Sequence, residues 1–81
     1  MTHEIRVRFE NGTATLTIDG KAISIDSNIA LLIDMALRTF VREWLAPEED
    51  NTDVYTSPTS NLKIAVRNND NDNEVVFVIE E

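Results

Sequence analysis

The chain has 81 residues, with 15 acidic and 7 basic side chains, a formal net charge of −8 and no cysteine. That length supports one hydrophobic core rather than two, and the missing cysteine excludes disulfide stapling, a thiol nucleophile and a Cys-based zinc site. Met1 to Arg6 carries no apolar leader, and no run reaches the ~20 apolar residues of a membrane span. One domain over residues 1–81, in the cytoplasm and away from membranes, is the expectation.

The charge is unevenly placed. Six acidic and five basic residues precede Ala46, whereas nine acidic and two basic residues lie from Ala46 onward. A negative field of this kind repels phosphate backbones and speeds encounters with basic protein surfaces. A net charge of magnitude ~2–8 also serves solubility alone.

Residues 4–10 alternate, with Ile5, Val7 and Phe9 on one face and Arg6 and Arg8 on the other, the period-2 pattern of a half-buried strand. Asn11-Gly12 suits a type I′ turn. A two-residue hairpin there pairs Phe9 with Ala14, Val7 with Leu16 and Ile5 with Ile18, so every apolar side chain meets an apolar one and a one-residue slip would misplace them all. Asp19-Gly20 is a second turn of the same kind, pairing Leu16 with Ile23 and Ala14 with Ile25. Strands at about 4–10, 13–18 and 21–25 therefore form a meander.

Asp26, Ser27 and Asn28 each qualify as an N-cap. A helix over about 27–45 follows and stops at Ala46-Pro47, because proline restricts the residue before it. Ile29, Ile33, Ala36, Leu37, Phe40 and Trp44 share one stripe, which is expected to face the sheet. Leu31, Leu32 and Met35 fall outside it, beside Arg38 and Arg42. They need a cover, either a loop or terminal segment of the chain or a partner, since an apolar centre ringed by arginine has the composition of an interface.

Residues 46–61 read as a long polar loop, of a length that is functional or mobile in compact domains; a short strand fits Val54 to Thr56. Strands at about 62–67 and 74–80 form a second hairpin in which Leu62 faces Ile79, Ile64 faces Phe77 and Val66 faces Val75. The last strand is apolar on both faces, because Val76 and Val78 point away from Phe77, and strands of that kind lie centrally. The expected fold is α+β, βββαββ, with a five-stranded antiparallel sheet in the order 4-5-1-2-3 and one long helix across one face.

No catalytic constellation can be assembled. The single histidine, His3, lies in a stretch expected to fray, and Glu48 and Glu49 sit in a wet loop without the environments that drive paired carboxylates apart in pKa. Both glycines are used in turns, leaving none for a phosphate-binding loop. Residues 68–74 resemble a calcium loop in alternating oxygen ligands, but Asn73 stands where the glycine is needed and Ile79 where the bidentate carboxylate is needed. No cofactor, metal or catalytic residue is assigned, and the chain is read as a non-enzyme.

Three interaction readings remain. In the first, Glu48, Glu49, Asp50, Asp53, Asp70, Asp72 and Glu74 form an acidic surface for a protein partner with a basic surface, the most specific version being an inhibitor that mimics nucleic acid and blocks a basic nucleic-acid-handling protein. In the second, the chain is a homodimeric structural or accessory protein joined through Leu31, Leu32 and Met35, rimmed by Arg38 and Arg42, or through Val76, Val78 and Ala65. In the third, Arg6, Arg8, Lys63 and Arg67 bind single-stranded nucleic acid on the open sheet face. That face carries no aromatic for stacking, and the overall field has the wrong sign, so direct nucleic-acid binding is disfavoured.

Overall fold

Strand pairing in the first third of the chain follows the alternation of its side chains. In the computed structural model, which describes residues 1–81, β1 (Thr2–Phe9), β2 (Thr13–Ile18) and β3 (Lys21–Asp26) form an antiparallel meander. Val7 stands opposite Leu16, Phe9 opposite Ala14 and Leu16 opposite Ile23. Asp19 and Gly20 both take positive φ, 49° and 85°, as a type I′ turn requires. At Asn11-Gly12 only the glycine does, with φ 75°, so this turn is not the expected I′ form even though the flanking strands keep their register.

The helix α1 spans Ser27–Trp44. Its N-cap is Asp26, whose carboxylate accepts from the Asn28 amide at 2.8 Å, satisfying one of the free donors of the first turn. Leu45 leaves the helix in an extended conformation. The chain then turns back as β4 (Ala46–Pro47), β5 (Val54–Thr56), β6 (Lys63–Asn69) and β7 (Glu74–Glu80).

The result is an α+β domain with one helix packed on an antiparallel sheet. The sheet has seven strands rather than five, in the order β3-β2-β1-β7-β6-β5-β4, so the expected order is not that of the whole sheet: β5 and β4 extend it beyond β6. The polar segment 46–61 contributes these two short strands because Ala46 pairs with Thr56 and Tyr55 with Ile64. Proline at the end of α1 stops the helix but remains compatible with a sheet edge, where its missing N–H costs nothing.

The second hairpin differs from expectation by two residues. Ile64 faces Ile79 and Val66 faces Phe77, because β6 continues through Asn68 and Asn69, and the connection shrinks to a 3-10 turn at Asp70–Asp72 closed by Asn73 at φ 50°. A two-residue shift keeps every side chain on its expected face.

The core lies between α1 and the inner face of the sheet. Val7, Ala14, Leu16, Val75 and Phe77 come from the strands, Ile64 from β6, and Ala30, Val41 and Leu45 from the helix and its C-cap. The helix faces the sheet through Ala30, Ile33, Leu37 and Val41, not through the whole expected stripe: Ile29, Phe40 and Trp44 are exposed. Apolar residues occupy too much of the helix circumference for sequence periodicity to select one face. The rotation is fixed by Arg38, which bonds Asp34 and the Asn68 side chain of β6, each at 2.6 Å, and by Ala30, whose small side chain is wholly buried. No helix is long and apolar enough to cross a membrane.

Candidate functional site

Antiparallel alternation brings the two acidic segments to one end of the sheet. The β4–β5 connection carries Glu48, Glu49, Asp50 and Asp53, and the β6–β7 connection carries Asp70 and Asp72. Since β5 runs against β6 and β6 against β7, both turns sit where β5 and β7 begin and β6 ends. The first is closed by Glu48 N–H donating to Val54 O at 2.8 Å and Val54 N–H to Asn51 O at 3.1 Å, and it is tied to β6 by Val66 N–H donating to Asp53 O at 2.9 Å. In the second, the Asn69 side-chain amide donates to Asp72 at 2.9 Å, and Phe9 N–H donates to Asn73 O at 2.9 Å, joining the turn to the end of β1.

These carboxylates are not equivalent. Glu74 is nearly enclosed, its side chain 9% exposed, and accepts from Arg6 at 3.3 Å. Arg6 also donates to Glu4 at 2.8 Å, and its guanidinium pKa rises through that hydrogen bond and the nearby Glu74 charge. Glu74 therefore belongs to the sheet's own ionic network. Glu48 lies 3.5 Å from Lys63 Nζ. Glu49, Asp50, Asp53, Asp70 and Asp72 are exposed, with no cation within 4.0 Å.

A cleft of about 280 Å³ lies beside the second turn, lined by Phe9, Asp34, Arg38, Asn68, Asp70, Asn73, Glu74 and Val75. Its one cation, Arg38, is already engaged by Asp34 and Asn68, so the cleft presents mainly oxygen to a visitor. No three His, Asp or Glu side chains converge as a metal site would require.

The other sequence-derived candidates separate. Leu31, Leu32 and Met35 are exposed, between 48 and 63%, and neither a loop nor a terminus lies over them. Arg42 is exposed, while Arg38 pins the helix to β6. On the outer face, Val76 is buried and stands in register between Arg6 and Arg67; Val78 and Ala65 are half-buried. The outer face therefore offers no open apolar patch like the one on the helix. Arg8 and Arg67 are exposed there without ion pairs. No aromatic accompanies them, since Phe9, Phe77 and Tyr55 pack on the core side and Phe40 and Trp44 belong to the helix.

Two features escaped sequence reasoning. His3 is not frayed: it sits in β1 opposite Ile79, with Nδ1 2.7 Å from Asp19 and Nε2 3.5 Å from Glu81. Extending the first hairpin's register by one pair would have placed Glu4 opposite Asp19 and His3 beside the turn. The second is the exposure of Ile29, Phe40 and Trp44, which the broad apolar arc of the helix concealed. Comparison with protein-family models, with curated proteins and with solved structures finds no match.

Proposed function

We propose that the chain is a non-enzymatic protein-interaction domain whose acidic end receives a basic protein surface. Its most specific form is an inhibitor that occupies the nucleic-acid site of a basic nucleic-acid-handling protein. The observation that carries this reading is that five exposed carboxylates without cationic partners, Glu49, Asp50, Asp53, Asp70 and Asp72, come from two separate turns at one end of the sheet. Unneutralised charges on short, hydrogen-bonded turns steer a cationic partner and lose little side-chain entropy on meeting arginine or lysine. Glu48 and Glu74, already paired, contribute to the field rather than to the contact.

The test is capture by the immobilised chain from a lysate, compared with a variant carrying Glu49→Lys, Asp50→Lys, Asp70→Lys and Asp72→Lys. Retention of a nucleic-acid-binding protein that is lost in the variant, weakens as salt rises and is competed by nucleic acid supports the reading. Retention indifferent to both charge reversal and salt would make the acidic end a solubilising surface only.

A further inference from the structure

The helix crosses the sheet from the β3 edge, where Asp26 caps it, to the β4 edge. Its buried line, Ala30, Ile33, Leu37 and Val41, faces the strands. At about 100° per residue, one flank to the side of that line carries Arg38, bonded to Asp34 and Asn68, with Leu31, Met35 and Arg42 beyond it. This flank looks toward the β6–β7 turn. The other flank carries Ile29, Leu32, Ala36, Phe40 and Glu43, all exposed, and looks away from that turn. Its members recur at helix-packing intervals. They also have a centre, since small Ala36 stands midway between the large apolar Leu32 and Phe40, each one turn away.

We infer that this flank docks a second copy of the chain, helix against helix, antiparallel about a two-fold axis at Ala36. In that arrangement Leu32 meets Phe40 of the second copy, Ala36 meets Ala36 and Ile29 meets Glu43. Small against small lets the two axes approach to about 8 Å, the close end of helix packing. A parallel copy would instead stack Phe40 on Phe40 and align the helix dipoles unfavourably. Charge also selects this occupant. The helix holds Asp34 and Glu43 against Arg38 and Arg42, so the stripe lies on a neutral element. A basic partner is drawn to the unpaired carboxylates on the other side, and an acidic one is repelled by a chain of net charge −8.

The area fits as well. Ile29, Leu32, Phe40 and Trp44 are 51, 63, 40 and 70% exposed, and at roughly 150–250 Å² for a large side chain they leave on the order of 450 Å² of apolar surface. A stable interface takes ~800 Å² from each partner, about 57% of it apolar, which is again roughly 450 Å². Because the stripe faces away from the β6–β7 turn, at least two helix diameters, about 20 Å, separate the acidic turns of the two copies, more than twice the ~8 Å screening length at physiological salt. The acidic end stays open in the dimer, so this inference does not depend on its role.

The test is sedimentation equilibrium of the full chain over a range of concentrations, with circular dichroism to confirm folding of each variant. The expected result is a dimer that persists in moderate salt and is weakened roughly tenfold or more by Leu32→Lys and by Ala36→Phe. The second variant is the sharper one, because it adds apolar area: a stripe that is merely adhesive would associate more tightly, whereas an Ala36 contact at the axis has no room for the ring. Leu31→Lys, on the other flank, leaves the dimer unchanged. The chain has no cysteine of its own, so Ala36→Cys reports the axis directly, cross-linking two copies on mild oxidation where Leu31→Cys does not. A monomer at every concentration, tighter association of Ala36→Phe, or cross-linking through Leu31→Cys in place of Ala36→Cys each overturns the inference.

Discussion

Asp19 combines a backbone role with a charge role. Its φ of 49° opens the β2–β3 turn, its Oδ1 accepts from Glu4 N–H at 2.8 Å and its Oδ2 lies 2.7 Å from His3 Nδ1. The hydrogen bond to Asp19, followed by its charge, raises the His3 pKa above the ordinary 6.5, and His3 in turn holds Asp19 below the ordinary 3.8. A raised histidine pKa adds stability that is complete below the unfolded value and lost as pH climbs through the folded one; a lowered aspartate pKa adds stability present above its unfolded value and lost as pH falls through the folded one. The pair therefore acts fully between 3.8 and 6.5. Both groups are exposed, so the effect belongs in a titration rather than a melting curve. Proton NMR should show His3 titrating above 6.5 and returning toward that value in Asp19→Asn, a substitution that tolerates positive φ and keeps the turn. A titration unmoved by Asp19→Asn would show that another group holds the histidine. The hairpin register contained this pair, but a lone histidine near a terminus draws attention to fraying rather than to what stands across the strand.

At the scale of elements, legibility followed how tightly each pattern constrains its own geometry. The meander was readable because period-2 alternation and two turn dipeptides fix the register together. The β6–β7 hairpin was misplaced by two residues because Asn68 and Asn69 resemble loop in composition yet pair with Val75 and Glu74 through the backbone alone. The helix span was readable from its cap and its proline. Asp26→Ala should cost about 1 kcal/mol by removing that cap, lowering the melting temperature by roughly 4–8 °C for a domain of this size. The face of the helix was not readable, because Ile29, Phe40 and Trp44 are as apolar as the residues that do pack. Truncations separate the two sets in monomeric protein. Phe77→Ala, at a site 1% exposed, should lose about 3–5 kcal/mol in urea unfolding. Trp44→Ala, at a site 70% exposed, should stay within about 0.5 kcal/mol. Comparable losses would mean that Trp44 is packed within the single chain and not available to a partner.

Across the whole molecule the strand order turns a sequence asymmetry into a spatial one. Strands β1–β3 and the helix carry nearly balanced charge, while β4–β7 and their turns carry the excess acid. The composition of the two halves was legible, and so was the short strand at Val54–Thr56 that is β5, but their separation depended on β5 and β4 extending the sheet beyond β6, a placement that strands of three and two residues do not announce in sequence. Carboxylates that serve the fold should then be distinguishable from those on display by their effect on stability. Glu74→Lys removes one of the two carboxylate partners of Arg6 from a nearly enclosed position and should cost about 1.5–3 kcal/mol, the range for a hydrogen bond to a charged group. Asp70→Lys with Asp72→Lys breaks no ion pair and loses one exposed hydrogen bond, from Asn69. Because the change also lowers net self-repulsion, the double variant should match or slightly exceed the wild type in urea midpoint, the difference shrinking as added salt screens the remaining charge. If the double variant instead lost as much stability as Glu74→Lys, the β6–β7 turn would need its acid to fold, and the case for those carboxylates as a surface held ready for a partner would fail with it.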